Sequence, residues 1–322
     1  KIKEIMDTLQ SEIYVAVDDF NPGEFMQKQK IINSVVSIMM FSLYCSTTLG
    51  TPIATIMMMD SGLEDDSFEG TNLTCYDFLP CPFYIPFPSN TKSGCQITAV
   101  FMGIGFLWSS AISAGCDTLF LGLLSCLKTQ LVIVCHVFKT IRERSLLKLE
   151  LPENYDVLDD SENPVLEKEL YCQLKQTTKH LITLLRIKDD MEEIFTFATL
   201  GQCITSLFVL ASCLFMTSSV PVGTPTFYIQ ILYFASMSVE FSLFCWYGNE
   251  MTIASEAVAS SLYESYWYSG TAQYKNSMII TMTRMQRPAY LTVGKFAPLT
   301  LNLMIAVYKA SFSYYTVFKE FQ

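Results

Sequence analysis

The strongest constraint on this sequence is a run from 194 to 239 that contains no charged side chain. A helix crosses the hydrocarbon core of a bilayer with about 20 apolar residues, so the run is long enough for two crossings. Two prolines and a glycine between 221 and 225 favour a tight turn near its middle. The run therefore predicts two membrane-spanning helices, at 194–217 and 226–247.

Three further stretches are long enough and apolar enough to cross a membrane: 31–59, 96–138 and 296–321. Charged residues make up 16% of the chain, whereas soluble domains carry about 25%. So little charge cannot cover the surface of soluble cores, which excludes a soluble globular protein of this length. The sequence thus predicts an all-α polytopic membrane protein with five transmembrane helices.

Lysine and arginine are concentrated in three connecting segments: 1–30, 139–193 and 248–288. Because basic loops stay on the cytoplasmic side of a membrane, these segments should be cytoplasmic. The loop at 60–95 and the C-terminus should then be extracellular. A glycosylation sequon at Asn72 lies in that outer loop and agrees with this orientation. Since the chain starts inside at Lys1 without a signal peptide, we expect that an even number of preceding helices is missing.

The cytoplasmic segments have helical character of their own, and 1–30 is predicted to be amphipathic. Residues 150–164 are acidic and indicate a flexible loop, after which leucines recur at helical spacing from Leu166 to Leu185. The apolar stripe of that helix leads into the span at 194–217 and has to be buried below the membrane. We therefore expect a cytoplasmic helical bundle, in which several subunits could take part.

No residue pattern predicts an enzyme, a cofactor site or a metal site. His136 and His180 have no Cys, Asp or Glu at a spacing typical of metal ligands. P-loops and nucleophile elbows do not occur in the sequence. With 31 acidic residues against 21 basic ones, the chain also lacks the basic surface of a nucleic-acid-binding protein.

Two sets of polar residues point to tertiary contacts without identifying the partners. Three cysteines of the outer loop allow one disulfide, and the sequence does not decide which pair forms it: Cys75, Cys81 and Cys95. Asp117 and Lys128 lie within an apolar stretch, where charges are costly and usually face a cavity or a partner. Alternatively, Lys128 lies near the inner interface and extends its ammonium group to water.

The last span differs from the others, because steps of three or four residues select a face of small and weakly polar side chains. This face ends in larger residues, and its members are Ala306, Ala310, Ser313, Val317, Glu320 and Phe321. Such a face suits close helix packing or a water-filled pore, and Lys309 at mid-span favours the pore. A single helix cannot line a pore, so this interpretation requires an oligomer.

The last third of the chain also contains an ordered set of motifs: Phe244–Glu250, Tyr263-Glu264-Ser265-x-Trp267, Arg284-x-Gln286-Arg287-Pro288, Gly294–Leu299 and Tyr308–Val317. This set resembles the tail of insect odorant receptors of the odour-binding type, and Leu79–Pro88 is similar to that family's outer loop. The resemblance implies seven spans, with an internal N-terminus and an external C-terminus. The five spans here would then be the third to the seventh, and 251–286 would be the cytoplasmic half of a split seventh helix.

The resemblance implies a cation channel that is opened by a small volatile odorant. It would assemble with co-receptor subunits, as a tetramer, in the plasma membrane of sensory dendrites. The co-receptor's gate is a hydrophobic pair four residues apart, and Val317 and Phe321 fall at those positions. Glu320 stands where the co-receptor usually has an amide, so its carboxylate could alter the preference among permeant cations.

The odorant would bind in the outer half of the helical bundle, where aromatic side chains are frequent. By depth and side-chain type we select seven residues for this pocket: Leu49, Ile53, Phe101, Gly105, Trp108, Ile231 and Phe234.

Other classes of membrane protein agree less well with the sequence. Gustatory receptors share the implied fold, but they favour an ending with Thr-Tyr and Gln-Phe, where this chain has Tyr314-Tyr315 and Glu320-Phe321. A G-protein-coupled receptor would have the opposite topology. A transporter would show inverted repeats, which are not visible in the sequence.

Overall fold

The computed structural model describes residues 1–9, 14, 20–62, 74–79, 91–152 and 163–320. Most of these residues are helical, and the α-helices are α1 (Ile2–Leu9), α2 (Pro22–Gly62), α3 (Cys75–Phe78), α4 (Lys92–Lys139), α5 (Ile141–Lys148), α6 (Pro164–Ser219), α7 (Pro225–Tyr263), α8 (Ala272–Met285) and α9 (Leu301–Glu320). Strands β1 (Thr292–Val293) and β2 (Ala297–Pro298) form a short antiparallel hairpin. The predicted all-α membrane fold is therefore confirmed.

Three long helices start where the sequence provides a capping side chain followed by proline. The Asn21 side chain accepts hydrogen bonds from the backbone at the start of α2, and Asn163 does the same at the start of α6. At the start of α7, the Thr224 hydroxyl accepts a hydrogen bond from the Phe227 N–H at 3.3 Å. Proline is tolerated directly after such a cap because the first helical N–H has no partner within the helix.

Two helices are much longer than a membrane crossing requires. Helix α6 has 56 residues and α4 has 48, which correspond to about 84 Å and 72 Å at 1.5 Å per residue. The hydrocarbon core is only about 30 Å thick. The predicted span at 194–217 is therefore the last part of one continuous helix, and the amphipathic stretch before it is not a separate element.

The C-terminal third departs from the predicted boundaries. Helix α7 continues past 247 to Tyr263, and the anchor helix predicted at 248–288 is divided. The division arises because the Thr271 hydroxyl accepts a hydrogen bond from Tyr274 N–H at 3.3 Å and starts a new helix, α8. The span predicted at 296–321 begins only at Leu301, since the residues before it form the β-hairpin.

Among the described residues, four helices are long and apolar enough to cross a membrane: α2, α4, α6 and α7. Helix α9 is not among them, although its 20 residues would extend over about 30 Å. Asn302, Lys309 and several hydroxyl-bearing side chains lower its mean hydropathy. That α9 crosses the membrane stays a prediction.

The chain is organised as two compact units, to each of which the five longest helices contribute. The first unit comprises Lys1–Ser34, Phe120–Cys203 and Ser242–Met304. The second unit comprises Val35–Leu119, Ile204–Phe241 and Ile305–Gln322.

The first unit combines a packed aliphatic core with polar contacts between distant parts of the sequence. Nearly solvent-free leucines of α4 and α6 belong to this core: Leu124, Leu127, Leu131, Leu166 and Leu174. The Lys128 ammonium forms an ion pair with Glu250 at 2.8 Å, and Gln130 donates a hydrogen bond to the Leu9 carbonyl at 2.7 Å. Lys128 therefore has a charged partner on α7, which the sequence did not reveal.

The hairpin before α9 is held tightly within the first unit. A Cβ atom at Gly248 would lie 2.5 Å from the Leu299 carbonyl oxygen, so only glycine fits at this position of α7. Gly294 has a φ of +59°, a left-handed conformation that favours glycine. The Thr292 hydroxyl donates a hydrogen bond to the Glu192 carboxylate of α6. These contacts fix the point from which α9 starts.

In the second unit, a disulfide joins Cys75 in α3 to Cys95 in α4. It lies in a cluster of buried side chains that also contains Met59, Leu79, Ala99 and Met102. Of the three cysteines considered for a disulfide, Cys81 lies outside the described residues, as does the sequon at Asn72. The structure thus selects one pair from the alternatives that the sequence left open.

Candidate ligand-binding site

The second unit contains a cavity of about 370 Å³ between α2, α6 and α7, which is partly open to the outside. Helix α2 contributes Thr47 and Thr51, and α6 contributes five residues between Phe208 and Met216. Helix α7 contributes three more: Ile229, Gln230 and Tyr233. The volume falls in the range of about 300–1,000 Å³ that is usual for small-molecule sites.

Helical periodicity explains which side chains reach this cavity. The α6 residues recur at steps of three or four, which place them on one face: Phe208, Val209, Ser212, Cys213 and Met216. The threonine and serine hydroxyl groups on this surface are hydrogen-bonded within their own helices. Thr47 donates to the Tyr44 carbonyl at 2.9 Å, and Ser212 donates to the Phe208 carbonyl at 2.8 Å. The cavity therefore presents a largely apolar surface to a ligand.

A second cavity of about 30 Å³ shares Thr47 and Tyr233 with the larger one. Its wall continues along α7 through Ser236 and Met237 to Glu240. The volume is comparable with the space that one water molecule occupies in the liquid, about 30 Å³. The smaller cavity is thus a minor space beside the larger one, lined mostly by apolar side chains but with the Glu240 carboxyl group in its wall.

Two carboxylates and a tyrosine meet beside the smaller cavity. The Tyr44 hydroxyl donates a hydrogen bond to Asp117 Oδ2 at 2.6 Å. The Glu240 carboxylate interacts with the same hydroxyl group, and Glu240 is only 4% exposed. Asp117 is among the residues selected from the sequence, whereas Tyr44 and Glu240 are not. Glu240 is likewise an acid inside a predicted span, at 226–247, and its position there was a signal of the same kind.

The seven residues selected for the pocket line neither of these two cavities. Six of them are exposed on the surface of the chain: Leu49, Ile53, Phe101, Gly105, Trp108 and Ile231. Phe234 is half-buried. Depth and side-chain type do not determine which side of a helix a residue occupies, because each residue turns the side chain by about 100°. Ile231 and Phe234, for example, directly follow the cavity-lining residues Gln230 and Tyr233.

The residues predicted to line a pore belong to α9, which this chain leaves exposed on most sides beyond Ser311. Ala306, Ser313, Val317 and Glu320 are exposed, and Ala310 is partly so. Phe321 lies outside the described residues. The opposite side of α9 packs within the second unit, where Ser311 donates a hydrogen bond to the Leu207 carbonyl at 3.1 Å. The exposed face is therefore available to other molecules or other subunits.

The two histidines lie in ordinary packing contacts of the first unit. His180 Nδ1 is hydrogen-bonded with the Tyr14 hydroxyl at 3.0 Å, and the His136 and Phe20 rings have centroids 4.1 Å apart. Within the part of the chain that the structure describes, no group of three or more His, Cys, Asp or Glu side chains could hold a metal ion.

The family model described as 7tm Odorant receptor matches residues 1–312 of the chain. Odorant receptor 2a of Drosophila melanogaster is 22% identical over 152 residues, which are 47% of this chain and 38% of that protein. Odorant receptor 22c of the same species is 24% identical over 58% of this chain and 46% of its own length. Odorant receptor Or2 of Anopheles gambiae is 24% identical over 47% of this chain and 40% of its own length. The chain thus spans less than half the length of these relatives.

A solved structure shows the same fold over the whole chain. It is the olfactory receptor OR5 from Machilis hrabei in complex with eugenol, with a TM-score of 0.78 and 10% identity. The match covers 100% of this chain and 74% of that one. A second solved structure of OR5 from Machilis hrabei matches this chain with a TM-score of 0.71 and 12% identity.

Proposed function

The chain belongs to the odorant receptor family, and from this premise we propose that it is the odour-binding subunit of a ligand-gated cation channel. The relatives are receptors rather than enzymes, in agreement with the sequence analysis. The matched family also favours an odorant receptor over a gustatory receptor. The observation that carries the proposal is the apolar cavity of about 370 Å³ in the second unit.

The size and surface of this cavity suit a small volatile molecule. Burial of about 200 Å² of apolar ligand surface contributes about 5 kcal/mol, part of which offsets the translational and rotational freedom that the ligand loses on binding. The related OR5 is described in complex with eugenol, a small aromatic compound, which supports a ligand of this class. The cavity residues are the odorant site that we propose, while the seven residues selected from the sequence stay a prediction.

An aromatic contact connects the cavity to α9. The Phe208 ring lines the cavity, and its centroid lies 6.1 Å from that of Tyr314 in α9. A ligand that displaces Phe208 would therefore change the packing of α9 directly. It can favour an open channel only to the extent that it binds the open arrangement more tightly than the closed one.

The uncovered face of α9 is the proposed pore lining, with Val317 and Phe321 as an apolar gate that closes by dewetting. Four such helices around an axis would form the pore, with co-receptor subunits as the partners and cations as the permeant ions. The same proposal includes insertion in the plasma membrane, an extracellular C-terminus and a glycan at Asn72. The exposure of Ala306, Ser313 and Val317 supports it.

The proposed odorant site is tested by filling the cavity. The chain is co-expressed with the co-receptor, and odour-evoked currents are recorded for Ser212→Trp and for the control Thr205→Trp. Thr205 is exposed on the same helix and does not line the cavity. We expect Ser212→Trp to raise half-maximal odour concentrations at least about tenfold, the effect of 1.4 kcal/mol, at unchanged surface abundance. Equal responses of both variants would contradict the proposal.

The proposed pore is tested by single cysteines placed along 306–320. Residues of the exposed face should react with aqueous thiol reagents every third or fourth position, and faster in the presence of odour. The buried positions Val307 and Ser311 serve as internal controls. Uniform reactivity, or none, would assign the pore to the partner subunits alone.

A further inference from the structure

We propose that Lys309 faces the ion pathway and repels divalent cations, so that this chain sets the ratio of divalent to monovalent permeation in the channel. The inference rests on the proposed function of α9 as a pore-lining helix and adds the residue that determines which cations pass. It depends on the side of α9 that Lys309 occupies, on the polar residues that share this side, and on the depth of the ammonium group.

Lys309 lies on the side of α9 that is turned away from the rest of the second unit. On the packed side, the Tyr308 hydroxyl donates a hydrogen bond to the Ser238 carbonyl at 3.0 Å. The Ser311 hydroxyl donates to the Leu207 carbonyl at 3.1 Å. An α-helix turns by about 100° per residue, so Lys309 lies about 200° around the helix from Ser311. The Lys309 side chain is exposed and points away from the helices that α9 contacts.

Polar side chains recur along this side of the helix. Steps of three or four residues from Lys309 select one stripe, whose members are all exposed: Ala306, Lys309, Ser313, Thr316 and Glu320. Exposed apolar side chains flank the stripe, among them Ile305, Phe312 and Val317. Lipid on every exposed side would place the two charges of the stripe in an apolar medium, which is unfavourable. The arrangement therefore indicates that water lies along the stripe.

The Lys309 ammonium group needs water because of its depth and because no described side chain neutralises it. The Cα atom of Lys309 lies about 12 Å along the axis from that of Leu301, at which α9 starts. Lys309 takes part in none of the ion pairs between described residues. Glu320 lies about 16 Å farther along the axis, twice the screening length of about 8 Å at physiological salt. A charge at such a depth usually faces a water-filled cavity, which in this helix is the proposed pore.

A cation that passes this ammonium group is repelled in proportion to its own charge. For an ion about 4–5 Å from the nitrogen in water, each unit of charge lowers the probability of passage about four- to sixfold. Mobile ions reduce this factor by screening. Because Ca²⁺ carries one unit of charge more than Na⁺, the ratio of their permeabilities falls by about the same factor. Monovalent cations still pass, because in the proposed oligomer the partner subunits supply the rest of the pore wall.

The test compares odour-evoked currents of Lys309→Gln, Lys309→Arg and the control Lys319→Gln, each co-expressed with the co-receptor. Lys319 is an exposed lysine of the same helix, but it lies outside the stripe and its ammonium group is 6.0 Å from the centroid of the Tyr315 ring. Reversal potentials with external Ca²⁺ and internal Na⁺ give the permeability ratio. Lys309→Gln should raise the Ca²⁺/Na⁺ ratio about three- to sixfold, whereas Lys309→Arg and Lys319→Gln should change it less than about twofold. An unchanged ratio in Lys309→Gln would overturn the inference.

A further variant, Lys309→Cys, restores the charge chemically and keeps the test decisive if Lys309→Gln does not reach the cell surface. The reagent 2-aminoethyl methanethiosulfonate attaches an ammonium group to the new thiol, and methyl methanethiosulfonate attaches an uncharged group. The first reagent should lower the Ca²⁺/Na⁺ ratio of Lys309→Cys toward that of the unmodified chain, and the second should not. The unmodified chain, treated with both reagents, controls for reaction of the native cysteines. Equal effects of the two reagents on the ratio would contradict the inference.

The same cysteine separates a failure of this inference from a failure of the proposed pore. If the reagents change the current through Lys309→Cys but not its permeability ratio, α9 lines the pore and Lys309 does not select ions. If cysteines at Ser313 and Thr316 react and Lys309→Cys does not, the pore stands and Lys309 faces elsewhere. If none of these positions reacts, with or without odour, α9 does not line the pore and both proposals fail. Reaction at all three positions, with a ratio that follows the charge at position 309, is the expected result.

Discussion

The two units of this chain differ in how many ion pairs they contain, because most of the ion pairs between described residues lie in the first unit. In the first unit, ion pairs connect residues that are far apart in sequence, as between Lys1 and Glu193 at 2.7 Å and between Lys139 and Glu264 at 2.6 Å. The second unit consists largely of uncharged helix segments, and the disulfide between Cys75 and Cys95 joins two of its elements. Its helices leave a cavity between them.

This difference has a physical consequence for where a ligand can act. Ion pairs and hydrogen bonds are directional, so they specify one arrangement of the elements that they join. Apolar side chains pack in several ways at similar free energy. The unit built from apolar helices is therefore the one in which a small apolar ligand could change the packing. Four predictions test this contrast, beginning with the largest expected effect.

Removal of the disulfide should destabilise the second unit most. For a bridge that closes a loop of 20 residues, the free energy of unfolding should fall by about 3 kcal/mol. Thermal unfolding of the full chain in lipid nanodiscs would compare Cys95→Ser with Cys116→Ser, which removes an exposed free thiol. If both variants unfold alike, the disulfide contributes little and the contrast between the units weakens.

Removing one partner of the Lys128–Glu250 pair should cause the next largest decrease in the free energy of unfolding. The two side chains are 27% and 30% exposed, so Lys128→Met should cost about 2 kcal/mol, less than a fully buried pair. The double variant with Glu250→Gln should recover most of that loss, because no unpaired charge then remains. In the second unit, Lys92→Met breaks a pair with Asp60, whose side chain is 58% exposed and can be hydrated without its partner, and should cost at most about 0.5 kcal/mol. Similar losses in both units would contradict the contrast.

A single methyl group should distinguish a tightly packed glycine from an exposed one. Gly248→Ala places a Cβ atom 2.5 Å from the Leu299 carbonyl oxygen and should destabilise the first unit by about 1–2 kcal/mol. Gly105→Ala in α4 of the second unit meets no atom within 4 Å and should stabilise its helix by up to about 1 kcal/mol. The same unfolding assay measures the stability of each variant. If both substitutions change the free energy of unfolding in the same direction, the prediction is wrong.

The smallest effect is expected at the exposed end of α9. Glu320 is exposed, and its field is screened over about 8 Å at physiological salt. Glu320→Gln should therefore cause only a modest change in the permeability of the channel to divalent cations, or in their block of the channel. It should leave odour potency unchanged. Reversal potentials in bi-ionic solutions would measure the shift. A large change in odour potency would instead indicate that Glu320 contributes to gating.

Local signals in the sequence located many of the helices but not all of their boundaries. Uncharged runs identified α2, α4 and the membrane parts of α6 and α7, because a long apolar run can satisfy its backbone in lipid only as a helix. The hairpin before α9 escaped detection. Its strands are only two residues long, so they show no alternation of apolar and polar residues.

The all-α membrane fold and the approximate positions of the apolar helices followed from the sequence alone. Tertiary structure alone decided that Asp117 meets Tyr44, that Lys128 meets Glu250, and which residues line the cavity. A helix that is apolar on all sides has no polar face to show which side turns inward. Packing against neighbouring helices therefore determines which side of the helix faces the cavity. The local sequence of these segments does not predict that side.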